Sequence, residues 1–246
     1  MADNSKIEWT EATWNPVTGC SKISDGCLNC YAERLAKRLM LMGQNNYKNG
    51  FKLSLHPQSL ELPLKWKKPK TIFVNSMSDL FHEDVPTSFI NDIFNVMNNA
   101  YWHNFQILTK RSKRLSDLAE TLNWTHNIWM GVTVESNKYI NRIDHLRNVP
   151  ASIKFLSLEP LLSELSNLIL KNIDWVIVGG ESGPNARPIK QEWIMKILKQ
   201  CHNDNVPFFF KQWGGINKKK SGRMLDGHYY NEYPKFSSKI RYSCLT

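Results

Sequence analysis

Thr18-Gly19-Cys20-Ser21-Lys22-Ile23-Ser24-Asp25-Gly26-Cys27-Leu28-Asn29-Cys30-Tyr31-Ala32-Glu33 holds three of the chain's five cysteines. Six residues separate the first two, and two separate the second pair. Gly19, Ser24, Asp25, Gly26 and Asn29 make the stretch rich in turn formers, and a helical pattern starts at Tyr31. Three thiolates on one loop can hold a metal centre and leave one coordination position open. Closed structural sites normally use four protein ligands, so this arrangement suits chemistry better than scaffolding. The loop therefore calls for a frame that carries a ligand site beside it.

That frame is legible downstream as alternating apolar strands and amphipathic helices. Strand-like runs fall at 71–75, 104–109, 128–134, 153–158, 175–178 and 207–212, and an earlier mixed segment, 7–17, leads a strand into the cysteine loop. Helical periodicity covers 31–43 with Gly43 as a stop, then 87–99, 112–122, 137–146 and 191–202. Residues 44–70 are polar and proline-interrupted, with a short helix near 59–66. From Trp213 onward the chain is rich in Gly, Lys and Tyr and irregular. Short apolar strands alternating with helices imply a parallel sheet covered by helices, either doubly wound or curved into a partial barrel.

Almost every strand runs into a polar cluster. They are Asn75-Ser76-Met77-Ser78-Asp79, Thr109-Lys110-Arg111, Thr133-Val134-Glu135, Ser157-Leu158-Glu159 and Gly179-Gly180-Glu181. The C-terminal edge of a parallel sheet is where ligands bind. Helix capping accounts for a serine here and there; it does not account for the repeated acids Asp79, Glu135, Glu159 and Glu181. The run Gly179–Gly183 matches neither a dinucleotide fingerprint nor a P-loop.

The chain has 246 residues, a formal net charge of +10 and Lys/Arg clusters at 65–70, 110–114 and 218–223. This balance favours a polyanionic partner, DNA or RNA above all. The odd cysteine count argues against a disulfide framework and for a reducing, cytoplasmic setting. The first residues lack a signal-peptide core, and no apolar run reaches the length of a membrane span. Two metals fit the cysteine loop: zinc, with His56 or His82 recruited as a fourth ligand, or an iron–sulfur cluster. Cys201 and Cys244 are too isolated to hold a second centre.

Taken together, Trp14–Cys20, Gly26–Glu33, Asn75–His82, Leu158–Leu161, Gly179–Gly183, Lys211–Gly214 and Leu225–Gly227 resemble a group of phage- and bacterium-associated, radical-SAM-like proteins. These are distantly related to spore photoproduct lyase. The spacing of six and two residues departs from the three and two usual in the wider superfamily. The resemblance implies an α/β fold: a partial (β/α)6 TIM-like barrel of parallel strands over residues 1–212, with the [4Fe–4S] loop after the first strand. Residues 213–246 form an irregular basic extension packed on or beside it.

It also implies a radical enzyme with two cofactors, a [4Fe–4S] cluster and S-adenosylmethionine (AdoMet), served by an external one-electron reductant. The cluster cleaves AdoMet reductively to a 5′-deoxyadenosyl radical, which abstracts hydrogen from a nucleic acid or nucleotide. Cys20, Cys27 and Cys30 hold the metal and with it the catalytic function. Ser76, Ser78 and Asp79 are expected to take the AdoMet amine and Lys110 or Arg111 its carboxylate. Glu135 is expected on the ribose, the Gly179–Gly180–Glu181 turn along the adenine, Tyr31 beside the cluster, and Glu159 on the cofactor side. Radical chemistry on a peptide or small molecule, and a non-enzymatic zinc or iron–sulfur nucleic-acid-binding protein, are the alternatives.

Overall fold

The computed structural model describes residue 5, residues 7–166 and residues 168–235. Cys244 and the end of the basic extension lie outside the described residues. The chain builds a seven-stranded sheet. The strands are β1 (Ala12–Trp14), β2 (Thr71–Val74), β3 (Asn104–Thr109), β4 (Ile128–Thr133), β5 (Ile153–Leu158), β6 (Trp175–Gly179) and β7 (Phe208–Gln212). Every pairing is parallel, and spatial order follows chain order. The α/β class and parallel sheet are as expected. The six strand-like runs and the strand ahead of the cysteine loop all pair into the one sheet, which makes seven.

The longer helices are α1 (Tyr31–Leu41), α2 (Thr87–Asn99), α3 (Ser112–Leu118), α4 (Arg142–Arg147) and α5 (Gln191–Asn203), and Leu62–Lys65 and Lys218–Ser221 are single helical turns. Because each right-handed crossover moves one strand further in the same direction, the crossover helices stack on one face. That face is the main core. Ile72, Val74, Phe105, Ile107, Met130, Val132, Leu156, Val176 and Phe210 from the strands meet Phe89, Ile90, Ile93, Leu115, Ile143, Leu146, Ile194 and Ile197 from the helices. Alternation along the strands puts the other set of residues on the opposite face.

The opposite face is concave and filled with rings. Trp9, Phe73, Trp129, Phe155, Trp175, Ile177 and Phe209 form a separate buried cluster. Trp9 packs on Phe73 of β2 at 4.7 Å and on Trp175 of β6 at 6.3 Å between ring centroids. In a flat sheet these two strands would lie about 19 Å apart, at roughly 4.8 Å per strand. One tryptophan touches both only because the sheet curls into a half-barrel. β1 and β7 remain as its edges, since each pairs with a single neighbour. Above the rings the concave face narrows to small and polar residues, Gly131 and Thr133 on β4, Ser157 on β5 and Gly179 on β6, so the aromatic layer forms a floor under the C-terminal mouth.

Helix 137–146 is shorter than its periodicity suggests. Asn137–Tyr139 is a 3-10 turn, and only Arg142–Arg147 is α-helical. Among the described residues the connection from β5 to β6 has no helix. Residues after β7 pack back on it: the Phe210 amide donates to the Tyr230 carbonyl, and Trp175 Nε1 donates to the Glu232 carbonyl at 2.8 Å. Leu225–Gly227 makes a tight hairpin turn, with Asp226 and Gly227 both at positive φ. Among the described residues no helix is long and apolar enough to cross a membrane.

Candidate metal centre at the barrel mouth

The cysteine loop leaves β1 through a small antiparallel ribbon, Val17–Thr18 against Ser54–Leu55, and crosses the C-terminal mouth before entering α1. Its shape depends on close approaches only glycine allows. Gly19 has φ +81°, and a Cβ there would lie 2.2 Å from the Lys52 carbonyl oxygen. A Cβ on Gly26 would lie 2.5 Å from Glu135 Oε1.

The loop is tied to the ends of four strands. At β2, Ser78 Oγ donates to the Val17 carbonyl at 2.9 Å, and the Gly19 amide donates to the Met77 carbonyl. At β3, Arg111 donates to Ser21 Oγ at 2.8 Å and to the Cys20 sulfur at 3.4 Å. At β4, Ser24 Oγ donates to Glu135 Oε1 at 2.5 Å, and the Asp25 amide donates to Tyr139 Oη at 3.0 Å. At β6, Asn29 Nδ2 donates to Glu181 Oε2 at 2.9 Å, and Arg187 donates to the Asp25 carbonyl.

These ties occupy most of the strand-end acids. Asp79 Oδ1 accepts from Thr109 Oγ1 at 2.6 Å and from the Phe81 amide; Oδ2 accepts from the Lys110 amide at 3.0 Å and from Arg111. Glu135 is fully buried and shared between Ser24 and Arg142, the latter at 2.7 Å. Glu181 is shared between Asn29 and Arg187. Burial alone would raise its pKa, but the Arg187 and Asn29 hydrogen bonds outweigh burial and hold the carboxyl below the usual range. Arg111 lies between Asp79, Glu83, Ser21 and Cys20, with Nε 2.9 Å from Glu83.

The glycines expected along adenine also face protein groups. A Cβ on Gly180 would lie 2.0 Å from the Trp213 carbonyl oxygen, and one on Gly179 would lie 3.3 Å from the Glu159 carboxyl. Tyr31 is half-exposed beside Cys30 and donates to the Ser76 carbonyl at 2.5 Å.

Three groups stay outside the loop ties. Lys110 is close enough to Cys27 to act on it electrostatically: burial opposes ionisation of Cys27, yet Lys110 and hydrogen bonds from Ile23 and Ser24 lower its pKa below the usual thiol value. Glu159 and Lys211 form an ion pair at 2.8 Å across the β5 and β7 ends. Cys20 differs from Cys27: burial and the nearby Asp79 carboxylate push its thiol up to about 11, against the pull of Arg111.

Cys20, Cys27 and Cys30 are free thiols, and among the described residues no three His, Cys, Asp or Glu side chains are placed to hold a metal ion. A cubane cluster spreads its cysteine ligands over separate corners, and three of them leave one iron open. The histidines considered for zinc are engaged: His56 Nε2 is 2.8 Å from Thr18 Oγ1, and His82 Nε2 is 2.8 Å from Ser21 Oγ.

Two tryptophans beside the lysine clusters are partly buried against the core: Trp66 takes a hydrogen bond from Trp102 on its carbonyl, and Trp213 packs on Phe210 at 5.1 Å. Arg142, Arg187, Asn29, Tyr139 and Gln212 were missed from sequence. Asn29, Tyr139, Arg142 and Arg187 lie near a strand-end acid or a cysteine in sequence, and Gln212 lies in the Lys211–Gly214 stretch.

Fold and loop define an α/β half-barrel with a three-cysteine loop fastened across its mouth. The chain belongs to the family described as "Protein of unknown function (DUF5131)", whose profile matches residues 4–234. It is also similar to two structures of spore photoproduct lyase. One is a mutant with bound AdoMet and dinucleoside spore photoproduct, the other a complex with dinucleoside spore photoproduct. Each is 12% identical, with a TM-score of 0.48, covering 82% of this chain and 63% of the lyase. The chain thus spans just under two thirds of the lyase's length. No curated protein matched the sequence.

Proposed function

We infer that this chain is a radical AdoMet enzyme acting on a nucleic acid or nucleotide. The observation that carries the reading is a loop with Cys20, Cys27 and Cys30 fastened across the mouth of a parallel half-barrel. Cys20, Cys27 and Cys30 would hold a [4Fe–4S] cluster. With AdoMet bound, that cluster supplies one-electron cleavage of the cofactor and hydrogen abstraction from the substrate.

The chain's own residues bind, orient and exclude water. Lys110, a strand-end cation outside the loop ties and beside Cys27, pairs with the AdoMet carboxylate. Arg111 is a positioning residue: its guanidinium fixes Cys20 and Ser21 and lies between two carboxylates. Ser76 and Ser78 each donate their hydroxyl proton to a protein acceptor, so both keep oxygen lone pairs to accept from the AdoMet amine. Asp79, Glu135 and Glu181 hold the loop and its supports. The aromatic floor from Trp9 to Phe209 closes the barrel from below and keeps water from the mouth. The net charge of +10 favours a polyanionic substrate, and an external one-electron reductant completes the scheme.

Anaerobic reconstitution with iron and sulfide tests the reading. About four irons per chain, a brown chromophore and loss of both in Cys27→Ala are expected for a three-cysteine [4Fe–4S] site. A colourless protein holding one zinc rejects it. A loaded cluster that never cleaves AdoMet would favour the cluster-bearing nucleic-acid-binding protein.

A further inference from the structure

The strand-end charges divide into two sets. Asp79, Glu135, Glu181, Arg111 and Arg187 serve the cysteine loop and its supports. Glu159 and Lys211 do not touch it. They extend the concave face two residues beyond Ser157 on β5 and Phe209 on β7, above the aromatic floor. Lys211 Nζ spans both Glu159 oxygens at 2.9 and 2.8 Å, and Gln212 Nε2 donates to Glu159 Oε1 at 3.1 Å. A register shift at Val178/Gly179 marks where β7 departs from regular pairing beside them. The missing side chain of Gly179 leaves the Glu159 carboxyl its space.

Two features distinguish this cluster from a plain strut. First, Gln212 is 4% exposed and its Oε1 has no hydrogen-bond partner among the described residues. Nε2 is held by Glu159, the Gly180 carbonyl and Ser182 Oγ, which fixes the amide orientation and leaves the oxygen as the orphan. A buried acceptor without a donor is costly unless something supplies one. Second, the ion pair is not sealed: its side chains keep 14% and 18% of their exposure.

We propose that Glu159, Lys211 and Gln212 form a substrate-reading site for the lactam edge of a nucleobase, the adjacent C=O and N–H of guanine, thymine or uracil. Lys211 donates to the carbonyl, Glu159 accepts from the ring N–H, and Gln212 Oε1 takes a donor from the base or a water it carries. Cytosine presents an unprotonated ring nitrogen at the equivalent position, which faces the Glu159 carboxylate as acceptor against acceptor. The inference rests on the nucleotide reading above and narrows it to a base class.

The test uses the whole protein and four probes: dGMP, TMP, dCMP and N3-methyl-TMP, with binding measured by calorimetric titration. TMP and dGMP should bind at least about tenfold more tightly than dCMP and N3-methyl-TMP, the discrimination of a two-point base contact. Glu159→Gln should erase that preference with the melting temperature retained. Equal affinity for all four probes, no binding of any at millimolar concentration, or an unchanged preference in Glu159→Gln overturns the proposal. The N3-methyl probe keeps the test decisive if the variant fails to fold. Base-selective binding by a protein that never cleaves AdoMet sinks the enzyme reading alone; AdoMet cleavage with base-blind binding sinks this proposal alone.

Discussion

Arg111 Nη1 donates to the Cys20 sulfur at 3.4 Å, while Nε of the same guanidinium lies 2.9 Å from Glu83. One buried cation thus links a cysteine of the candidate centre to the end of β3 and to the segment after β2. Arg111→Gln should destabilise the fold by about 3 kcal/mol, since it leaves the buried Asp79 charge without its partner. Amide hydrogen exchange across residues 20–30 should accelerate in the variant. Unchanged exchange would show that the loop does not depend on Arg111.

Ser24 and Glu135 make the corresponding tie at β4. Ser24→Ala removes a hydroxyl donor from a buried carboxylate, and about 2 kcal/mol of stability should go with it. Chemical denaturation measures this directly. Gly26→Ala should be worse for the loop, because its Cβ would sit against the same carboxylate.

Gly131 leaves room for the Phe155 ring, which would lie 2.4 Å from a Cβ at that position. Gly131→Ala should cost about 1–3 kcal/mol through overpacking of the barrel interior. The expected signature is a lower melting temperature with the cysteine loop still protected from exchange.

His103 should make stability fall in mild acid. Burial lowers its pKa, and the Lys70 amide donates to Nδ1 at 3.1 Å, so the folded protein holds the ring neutral. A depressed folded pKa means this contribution is present above the unfolded value, roughly 6.5, and is lost as pH falls through the folded value. Denaturation midpoints between pH 7.5 and 5 should decline, and the decline should shrink in His103→Gln. A pH-independent difference between the two proteins would remove the assignment.

Much of the fold was legible because local pattern and tertiary role coincide. Phe89, Ile90, Ile93, Phe94 and Met97 mark one face of α2, and all five pack on the sheet. The seventh strand was harder to count, because Ala12–Trp14 has three residues and mixed composition. The three cysteines were also plain. The roles of the acids were not, because their partners are distant in sequence: Ser24 meets Glu135 across 111 residues, and Asn29 meets Glu181 across 152. Strand-end carboxylates look alike in sequence whether they face a ligand or fasten a loop. Only the fold separates Glu159 from Asp79, Glu135 and Glu181.

The most direct measurement is 5′-deoxyadenosine. The reconstituted protein is reduced under anaerobic conditions with AdoMet present, and the nucleoside is quantified by chromatography. The expected result is 5′-deoxyadenosine formed by the wild type, lost in Cys20→Ala, Cys27→Ala and Cys30→Ala, and reduced in Lys110→Met with the iron content retained. A protein that loads its cluster through all three cysteines and forms no 5′-deoxyadenosine above the cysteine variants would contradict the radical reading.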